Sequence, residues 1–560
     1  MIIHAERDSL LQQLHSLSSS SLDFVLLISG ALPSMGLHDW QPYLEEAIRV
    51  LAEGGLLFVQ GTPSRLPELG IYLDRRLQFK YWIAVESAIR YTGRGLPSAH
   101  AAILMFSKGS KFEINRVRFP HEMCRACGKP LRDWGGKAYL MHPEGFAISD
   151  VWKGLPALDN YTGISRPVLE TLLKLVNPKM SREASGLIGP CEGLTGSSVM
   201  RDAQVEYRSG ALQYTLPGFE ICQVDQKAFD VQSDSEALWN TVIQGDALEV
   251  LKKYPSDSVD LVFADPPYNL DKAYNVYNDE KDRQAYLNWC NSWLDEYIRI
   301  LKPTGSLYVL NLPRWAMYHA AYLNKRLCFQ NWIVWDALSE PRGKLMPAHY
   351  ALLFYTKHPT QFTFNYEEIG KIDARVYCLR SSCVRRRKAK GEDLKEPLTD
   401  IWWDIHRLKH RRDRDYHPCQ LPDALLERII RLSTKPGDIV LDALAGTGTT
   451  AVVAASLARR YVAIDIDEAY VRIIREKIAQ VRATGTVQRP SVRRPKSRYS
   501  KKMLQLELRD IAARLGRLPT PEDVQRMSRF GLDAFLETFP TWGKALKAAK
   551  LEVQNGNRST

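Results

Sequence analysis

The chain repeats itself, and that constrains its fold more than any other feature. The run Leu44-Glu45-Glu46-Ala47-Ile48-Arg49-Val50-Leu51, followed by Gly55-Leu56-Leu57-Phe58-Val59, is echoed by Leu294-Asp295-Glu296-Tyr297-Ile298-Arg299-Ile300-Leu301 and Gly305-Ser306-Leu307-Tyr308-Val309. Both read as helix, turn and buried strand. Tyr72-Leu73-Asp74-Arg75-Arg76-Leu77 then matches Tyr322-Leu323-Asn324-Lys325-Arg326-Leu327, Trp82-Ile83 matches Trp332-Ile333, and Ser149-Asp150-Val151-Trp152 matches Thr399-Asp400-Ile401-Trp402. Blocks matching in one order at a spacing of roughly 240 to 250 residues describe a duplicated domain, not a solenoid unit.

The copies part where chemistry is expected. Setting Ser21-Leu22-Asp23-Phe24-Val25 against Ser258-Val259-Asp260-Leu261-Val262 places Ile28-Ser29-Gly30-Ala31 where the second copy has Asp265-Pro266-Pro267-Tyr268. The apolar run from Val259 is of strand length and must stop at the two prolines, which cannot donate to a sheet ladder. Asp265 therefore stands at a strand's C-terminal lip, where open α/β sheets bind ligands. One carboxylate, the turn's carbonyls and the Tyr268 ring suit an exocyclic amine on a base. The nitrogen of such an amine is a poor nucleophile, because its lone pair is delocalised; acceptors gripping its hydrogens orient it and stabilise the developing positive charge. A strand-ending Asp in a rigid turn is the plain alternative, and its context decides.

That context includes Pro436-Gly437-Asp438-Ile439-Val440-Leu441-Asp442, then Gly446-Thr447-Gly448-Thr449-Thr450, a helix, and a strand ending at Asp465. Glycines that admit a ligand to the backbone, followed about 20 residues on by a carboxylate at a strand end, suit an adenosine ribose. Gly446 to Ala451 also fits a dinucleotide fingerprint, but hydride transfer leaves Asp265-Pro266-Pro267-Tyr268 without a role. The net charge of +12 and pI near 9.1 favour a polyanionic partner. Nine cysteines at irregular spacing argue against a secreted disulfide framework, and neither a signal core nor a membrane-spanning apolar run is read. A cytoplasmic protein is expected, nucleoid-associated if prokaryotic.

Together these motifs resemble the S-adenosylmethionine-dependent amino-methyltransferases of DNA, in the beta-ordered group whose D-P-P-Y motif precedes the glycine loop. The resemblance is close over about 240 to 480 and degenerate in the first copy. It implies transfer to adenine N6 in duplex DNA, with Asp265, Pro266, Pro267 and Tyr268 at the reacting amine. It further implies Asp246 at the cofactor's adenine, Asp442, Gly446, Gly448 and Thr449 at its methionine end, Asp465 at its ribose, and His417 and Gln420 closing the pocket. Ala443-Leu444 and Leu421 depart from the family pattern. Cytosine-N4 or RNA amine transfer, or a DNA-binding protein without catalysis, are the alternatives. In the first copy Leu194 stands in the place of Gly446 and Gln223 near that of Asp465, so this copy is expected to bind no cofactor. It resembles an inactive partner subunit, here fused, and implies a monomer. Pro418-Cys419-Gln420 mimics a cytosine-C5 nucleophile, but the cofactor loop follows it instead of preceding it, so Cys419 is not expected to be catalytic.

The expected architecture is α/β: two tandem Rossmann-like methyltransferase domains, the first degenerate and the second active, plus a small C-terminal helical domain. The boundaries are 1–232, 233–485, a basic linker 486–503, and 504–560. The last segment resembles the homing-endonuclease-associated repeat. Arg385, Arg386, Arg387, Lys388, Arg411 and Arg412 are read as phosphate-facing, a solvated loop being the alternative. Cys124-Arg125-Ala126-Cys127-Gly128 supplies half a tetrahedral zinc site, with His121, Cys378 or Cys383 as candidates for the rest.

Overall fold

The computed structural model describes residues 2–4, 6, 9–31, 34–91, 95–131, 141–155, 163–176, 185–189, 238–270, 281–337, 343–392, 394–408, 420–485, 501–539, 542–549 and 551. The chain divides into two units, Met1–Gln488 and Arg489–Thr560.

In the first unit the strands are β1 (Ile2–His4), β2 (Leu22–Ile28), β3 (Leu51–Gly61), β4 (Gln78–Arg90), β5 (Ser98–Ser107), β6 (Arg118–Phe119), β7 (Phe146–Ala147), β8 (Val151–Trp152) and β9 (Gly186–Gly189). They continue as β10 (Thr241–Gln244), β11 (Val259–Ala264), β12 (Leu301–Asn311), β13 (Cys328–Asp336), β14 (His349–Thr356), β15 (Lys371–Asp373), β16 (Lys395–Pro397), β17 (Ile401–Trp402), β18 (Ile439–Asp442) and β19 (Arg460–Asp465). The helices are α1 (Leu10–Ser16), α2 (Leu37–Val50), α3 (Leu66–Asp74), α4 (Arg166–Val176), α5 (Ala247–Leu251), α6 (Arg283–Ile300), α7 (Pro313–Leu323), α8 (Ser381–Lys390), α9 (Asp423–Ser433), α10 (Thr449–Ser456) and α11 (Glu468–Thr484).

Two mixed sheets result. One runs β1-β9-β2-β3-β5-β4-β8 and the other β10-β19-β18-β11-β12-β14-β13-β17. Their shared part agrees in register. Leu22 faces Leu51 and Phe24 faces Leu56 across a shift, and Val259 faces Leu301 and Leu261 faces Ser306 across a shift at the same place. The same side chains enforce it. Asp23 accepts the Ser185 N–H (2.8 Å) beside β9, as Asp260 accepts the Ile439 N–H (2.9 Å) of β18. Arg49 donates to the carbonyls of Leu14 and Leu17, as Arg299 does to those of Leu251 and Tyr254, so each guanidinium fastens the end of the preceding helix. The sheets differ at one edge: β1 pairs directly with β9, so among the described residues the first sheet has no counterpart of β19.

One hydrophobic core runs through both sheets' helices, joining Leu73, Trp82 and Leu104 to Met317, Trp332 and Leu353. Trp82 stacks on Trp332 with centroids 3.8 Å apart and planes 5° from parallel, a pair contributing about 0.5–1.5 kcal/mol beyond its buried area. The polar contacts are reciprocal. Asp150 accepts the N–H groups of Ala348 (2.7 Å) and His349 (3.1 Å), while Asp400 accepts that of Ala99 (2.7 Å). Equivalent surfaces thus meet each other, as in an isologous dimer, but within one chain.

The second unit comprises α12 (Lys501–Leu515), α13 (Pro521–Met527), α14 (Gly531–Thr538) and α15 (Trp542–Ala548). Leu504, Leu508, Ile511, Val524, Phe535 and Phe539 form its core. Thr520 and Asp523 close a reciprocal capping box at the start of α13. No helix among the described residues is long and apolar enough to cross a membrane.

Candidate active site

The strand β11 delivers Asp265-Pro266-Pro267-Tyr268 to the lip of a cavity of about 390 Å³, within the range of about 300–1,000 Å³ usual for ligand clefts. The turn is held from behind. Tyr286 donates its hydroxyl to the Pro267 carbonyl (2.8 Å), and the Trp315 indole N–H donates to the Tyr268 carbonyl (2.8 Å). Asn311 donates to the Tyr286 hydroxyl (3.1 Å) and lies 3.1 Å from His319 Nε2. Burial pushes His319 down to about 3, so this support is uncharged at neutral pH. Among the described residues no hydrogen bond reaches the Pro266 carbonyl. Tyr268 is only 3% exposed, and its hydroxyl donates to Asp265 Oδ1 (2.7 Å).

The opposite wall is built by β18, β19 and the loop into α10. Asp442 Oδ1 accepts the Leu444 N–H (3.0 Å) and Oδ2 the Thr450 hydroxyl (2.6 Å). Asp465 Oδ2 accepts the Gly446 N–H (2.7 Å) and Oδ1 the Asp467 N–H (2.8 Å), so the carboxylate pins the glycine turn. Burial pushes both carboxyls up to about 6 against these bonds. Asp246 caps α5 through the N–H groups of Leu248 and Glu249 and lines the cavity from β10's end. Gln420 and Thr449 line it too, while His417, Arg411, Arg412, Cys419, Leu194 and Gln223 lie outside the described residues.

Gly448 also has a packing role: its φ is +75° and a Cβ there would lie 2.5 Å from Ile474 Cγ1, so the glycine lets α10 pack on α11. Gly448→Ala is expected to lose about 2–4 kcal/mol from left-handed strain plus overpacking. Thermal unfolding of the full chain checks this, with Ile474→Ala in the same background restoring part of the loss.

Sequence reasoning missed Ile466, which is 51% exposed at the cavity, and Trp289, Tyr470 and Thr450. Ile466 follows the strand-end carboxylate directly, which was the available signal. The basic run is corrected. It is helix α8, and Arg387 points inward, 1% exposed, paired with Asp373 (2.8 Å) and 4.2 Å over the Tyr377 ring, because a carboxylate and a ring wait there. Arg385, Arg386 and Lys388 are exposed, and Arg386 donates to the Ala126 carbonyl (2.6 Å). Away from the cavity, the sulfurs of Cys124, Cys127, Cys378 and Cys383 all lie within 4.8 Å of one another. His121 is not in this group; its ring meets the His142 carbonyl at 2.9 Å.

Residues 259–476 match the DNA methylase family, and residues 499–552 the homing endonuclease associated repeat. The type II methyltransferase M.BamHI of Bacillus amyloliquefaciens is 39% identical over 238 residues, which cover 42% of this chain and 56% of that protein. The type II methyltransferase M.HpaI of Haemophilus parainfluenzae is 34% identical over 242 residues, 42% of this chain and 73% of that protein. The DNA adenine methyltransferase YhdJ of Escherichia coli is 34% identical over 239 residues, 42% of this chain and 80% of that protein.

Proposed function

The chain belongs to the DNA methylase family, and from that premise we propose that it methylates adenine N6 in duplex DNA, using S-adenosylmethionine. The observation that carries this reading is that Asp265 and Pro266, at the end of β11, line one cavity with the Gly446 turn and the strand-end carboxylates Asp442 and Asp465. S-adenosylmethionine bound in the cavity supplies the electrophilic methyl group. The residues fit it: Asp465 offers acceptors for ribose hydroxyls, Ile466 an aliphatic face for adenine beside Asp246, and Asp442 and Thr449 border the methionine end, with Gln420 at the rim.

Asp265 and the Pro266 carbonyl grip the hydrogens of the amine on a base turned out of the duplex, directing its lone pair into the cavity. The charge developing on nitrogen meets the carboxylate, which sits on a turn whose backbone Tyr286 and Trp315 already hold before reaction. Tyr268 yields its bond to Asp265 as the amine arrives.

The first half is a degenerate copy acting as an intramolecular partner, so the chain works as a monomer. Its equal register supports this, as does Ile28-Ser29-Gly30-Ala31 at the reacting strand end. Arg385, Arg386 and Lys388 hold phosphates, and the C-terminal unit adds affinity for DNA. A structural zinc occupies the four thiols.

The test is transfer of labelled methyl to unmethylated duplex DNA, followed by digestion to nucleosides. N6-methyl-2′-deoxyadenosine is expected; labelled N4-methyl-2′-deoxycytidine would change the base, and cofactor binding without transfer to DNA would overturn the substrate. Cofactor affinity should also depend on pH. Ribose hydroxyls donating to Asp465 favour its ionised form, so affinity is full well above about 6 and weakens as pH falls through that value, by up to about tenfold per unit. Calorimetric titration with S-adenosylmethionine checks it; a flat profile removes Asp465 from the ribose.

A further inference from the structure

The four cysteines come from equivalent excursions of the two halves. Cys124 and Cys127 lie between β6 and β7, while Cys378 and Cys383 lie between β15 and β16. Their sulfurs are 3.8 Å apart for Cys124 and Cys383 and 3.6 Å for Cys127 and Cys378. A tetrahedral zinc with bonds of about 2.3 Å separates its sulfurs by about 3.8 Å, whereas a disulfide needs about 2.05 Å. Backbone geometry agrees. Gly128 (φ +63°) closes a turn in which its N–H donates to the Cys124 carbonyl (2.8 Å), and the Cys378 N–H donates to Cys124 Sγ (3.3 Å).

Apolar packing in this region is thin, and its other ties are ionic: Arg387–Asp373 (2.8 Å) within one excursion and Arg375–Glu86 (2.6 Å) between the halves. The buried members of its apolar cluster are Cys124, Ala374, Tyr377, Cys378 and Cys383, and α8 buries only Cys383 and Arg387. A helix whose buried side chains are one thiol and one arginine has no apolar stripe to dock with. The Arg125 N–H to Val376 carbonyl bond (2.9 Å) and the Arg386 bond to Ala126 join the same two excursions. Each is a single hydrogen bond, modest by itself.

We infer that Cys124, Cys127, Cys378 and Cys383 bind one zinc ion, half of its ligands from each half of the chain, and that this ion docks α8 across the seam. The inference rests on the structural zinc proposed above and not on methyl transfer. Metal binding is therefore coupled to tertiary order in this region alone, and the exposed Arg385 and Lys388 are presented by a helix that the ion holds.

Metal content of the purified full chain is measured first, with Cys383→Ser beside it. One zinc per chain, lost in the variant, is expected; cobalt exchanged into the unmodified chain should show the visible and charge-transfer bands of a tetrahedral tetrathiolate, which needs no variant to fold. Amide hydrogen exchange is then followed before and after zinc is stripped by a thiol-directed mercurial and chelator, and after it is restored. Exchange across 381–390 should rise at least tenfold on stripping and recover on restoration, while the core strands β11 and β12 stay protected. A chain without metal, or with the thiols paired as disulfides, overturns the zinc and the docking together. Zinc present with exchange in 381–390 unchanged on its removal overturns the docking and leaves the zinc standing.

Discussion

Asp265→Ala is expected to slow methyl transfer to duplex DNA by about 10²–10³-fold, the loss typical when one preorganised group facing a developing charge is removed. The carboxylate's hold on the amine strengthens as charge builds on nitrogen, so the loss should fall mainly on the chemical step and leave S-adenosylmethionine affinity in place. The turn's backbone is tied by Tyr286 to the Pro267 carbonyl and by Trp315 to the Tyr268 carbonyl, neither of which involves the Asp265 side chain, while the Tyr268 hydroxyl loses its acceptor. Asp265→Asn keeps an acceptor oxygen but loses the charge, and should retain more activity than alanine. Single-turnover transfer with saturating cofactor measures it. Transfer by Asp265→Ala at the unmodified rate would sink the assignment of the strand end as the reacting site.

Asp74→Ala should have the largest effect on stability, although it lies in the half without the reacting motif. Its carboxylate is fully buried at the end of α3 and accepts from Arg283 (3.2 Å), Arg314 (3.2 Å) and the Tyr318 hydroxyl (2.8 Å), all from the second half. Burial and this hydrogen bond to Asp74 push the Tyr318 hydroxyl up to about 12, so it stays a donor. Removing the acceptor leaves two guanidinium groups facing each other without a counter-charge. A fully buried pair broken in this way costs about 3–5 kcal/mol; with both arginines 43% exposed, about 2–4 kcal/mol is expected here. The consequence reaches chemistry, because Arg314 precedes Trp315 on α7 and Trp315 holds the Tyr268 carbonyl. Asp74→Ala should therefore lower both the melting temperature and the rate of transfer, whereas Asp74→Asn, which keeps the acceptor for Tyr318, should recover part of each. An unchanged melting temperature would remove the first half from its supporting role.

Much of the site was legible because its signals are local. Two prolines stop a strand wherever it is placed, so Asp265 at a strand end followed from Val259 to Pro267 alone. A carboxylate ending a strand after a glycine turn likewise marked Asp465, and the structure adds that it bonds the Gly446 N–H. Gly448 was read from the same loop for ligand approach, yet Ile474 on the next helix is what excludes its Cβ. The basic run was harder. Arg385 and Arg387 are indistinguishable in a charge pattern, and only the arrival of Asp373 and Tyr377 beneath α8 turns one of them inward.

By itself, the sequence determined that strands end at Asp265 and at Asp465, and that the blocks from Leu44 to Trp152 recur from Leu294 to Trp402. These depend on periodicity, proline and glycine geometry, and short spacings along the chain. Only the tertiary structure decided that Asp74 answers Arg283 and Arg314, that Trp82 lies on Trp332, and that Cys127 meets Cys378 across 251 residues. Such partners are chosen by packing between elements far apart in the chain, where burial and the need to satisfy each buried charge act on all candidates at once.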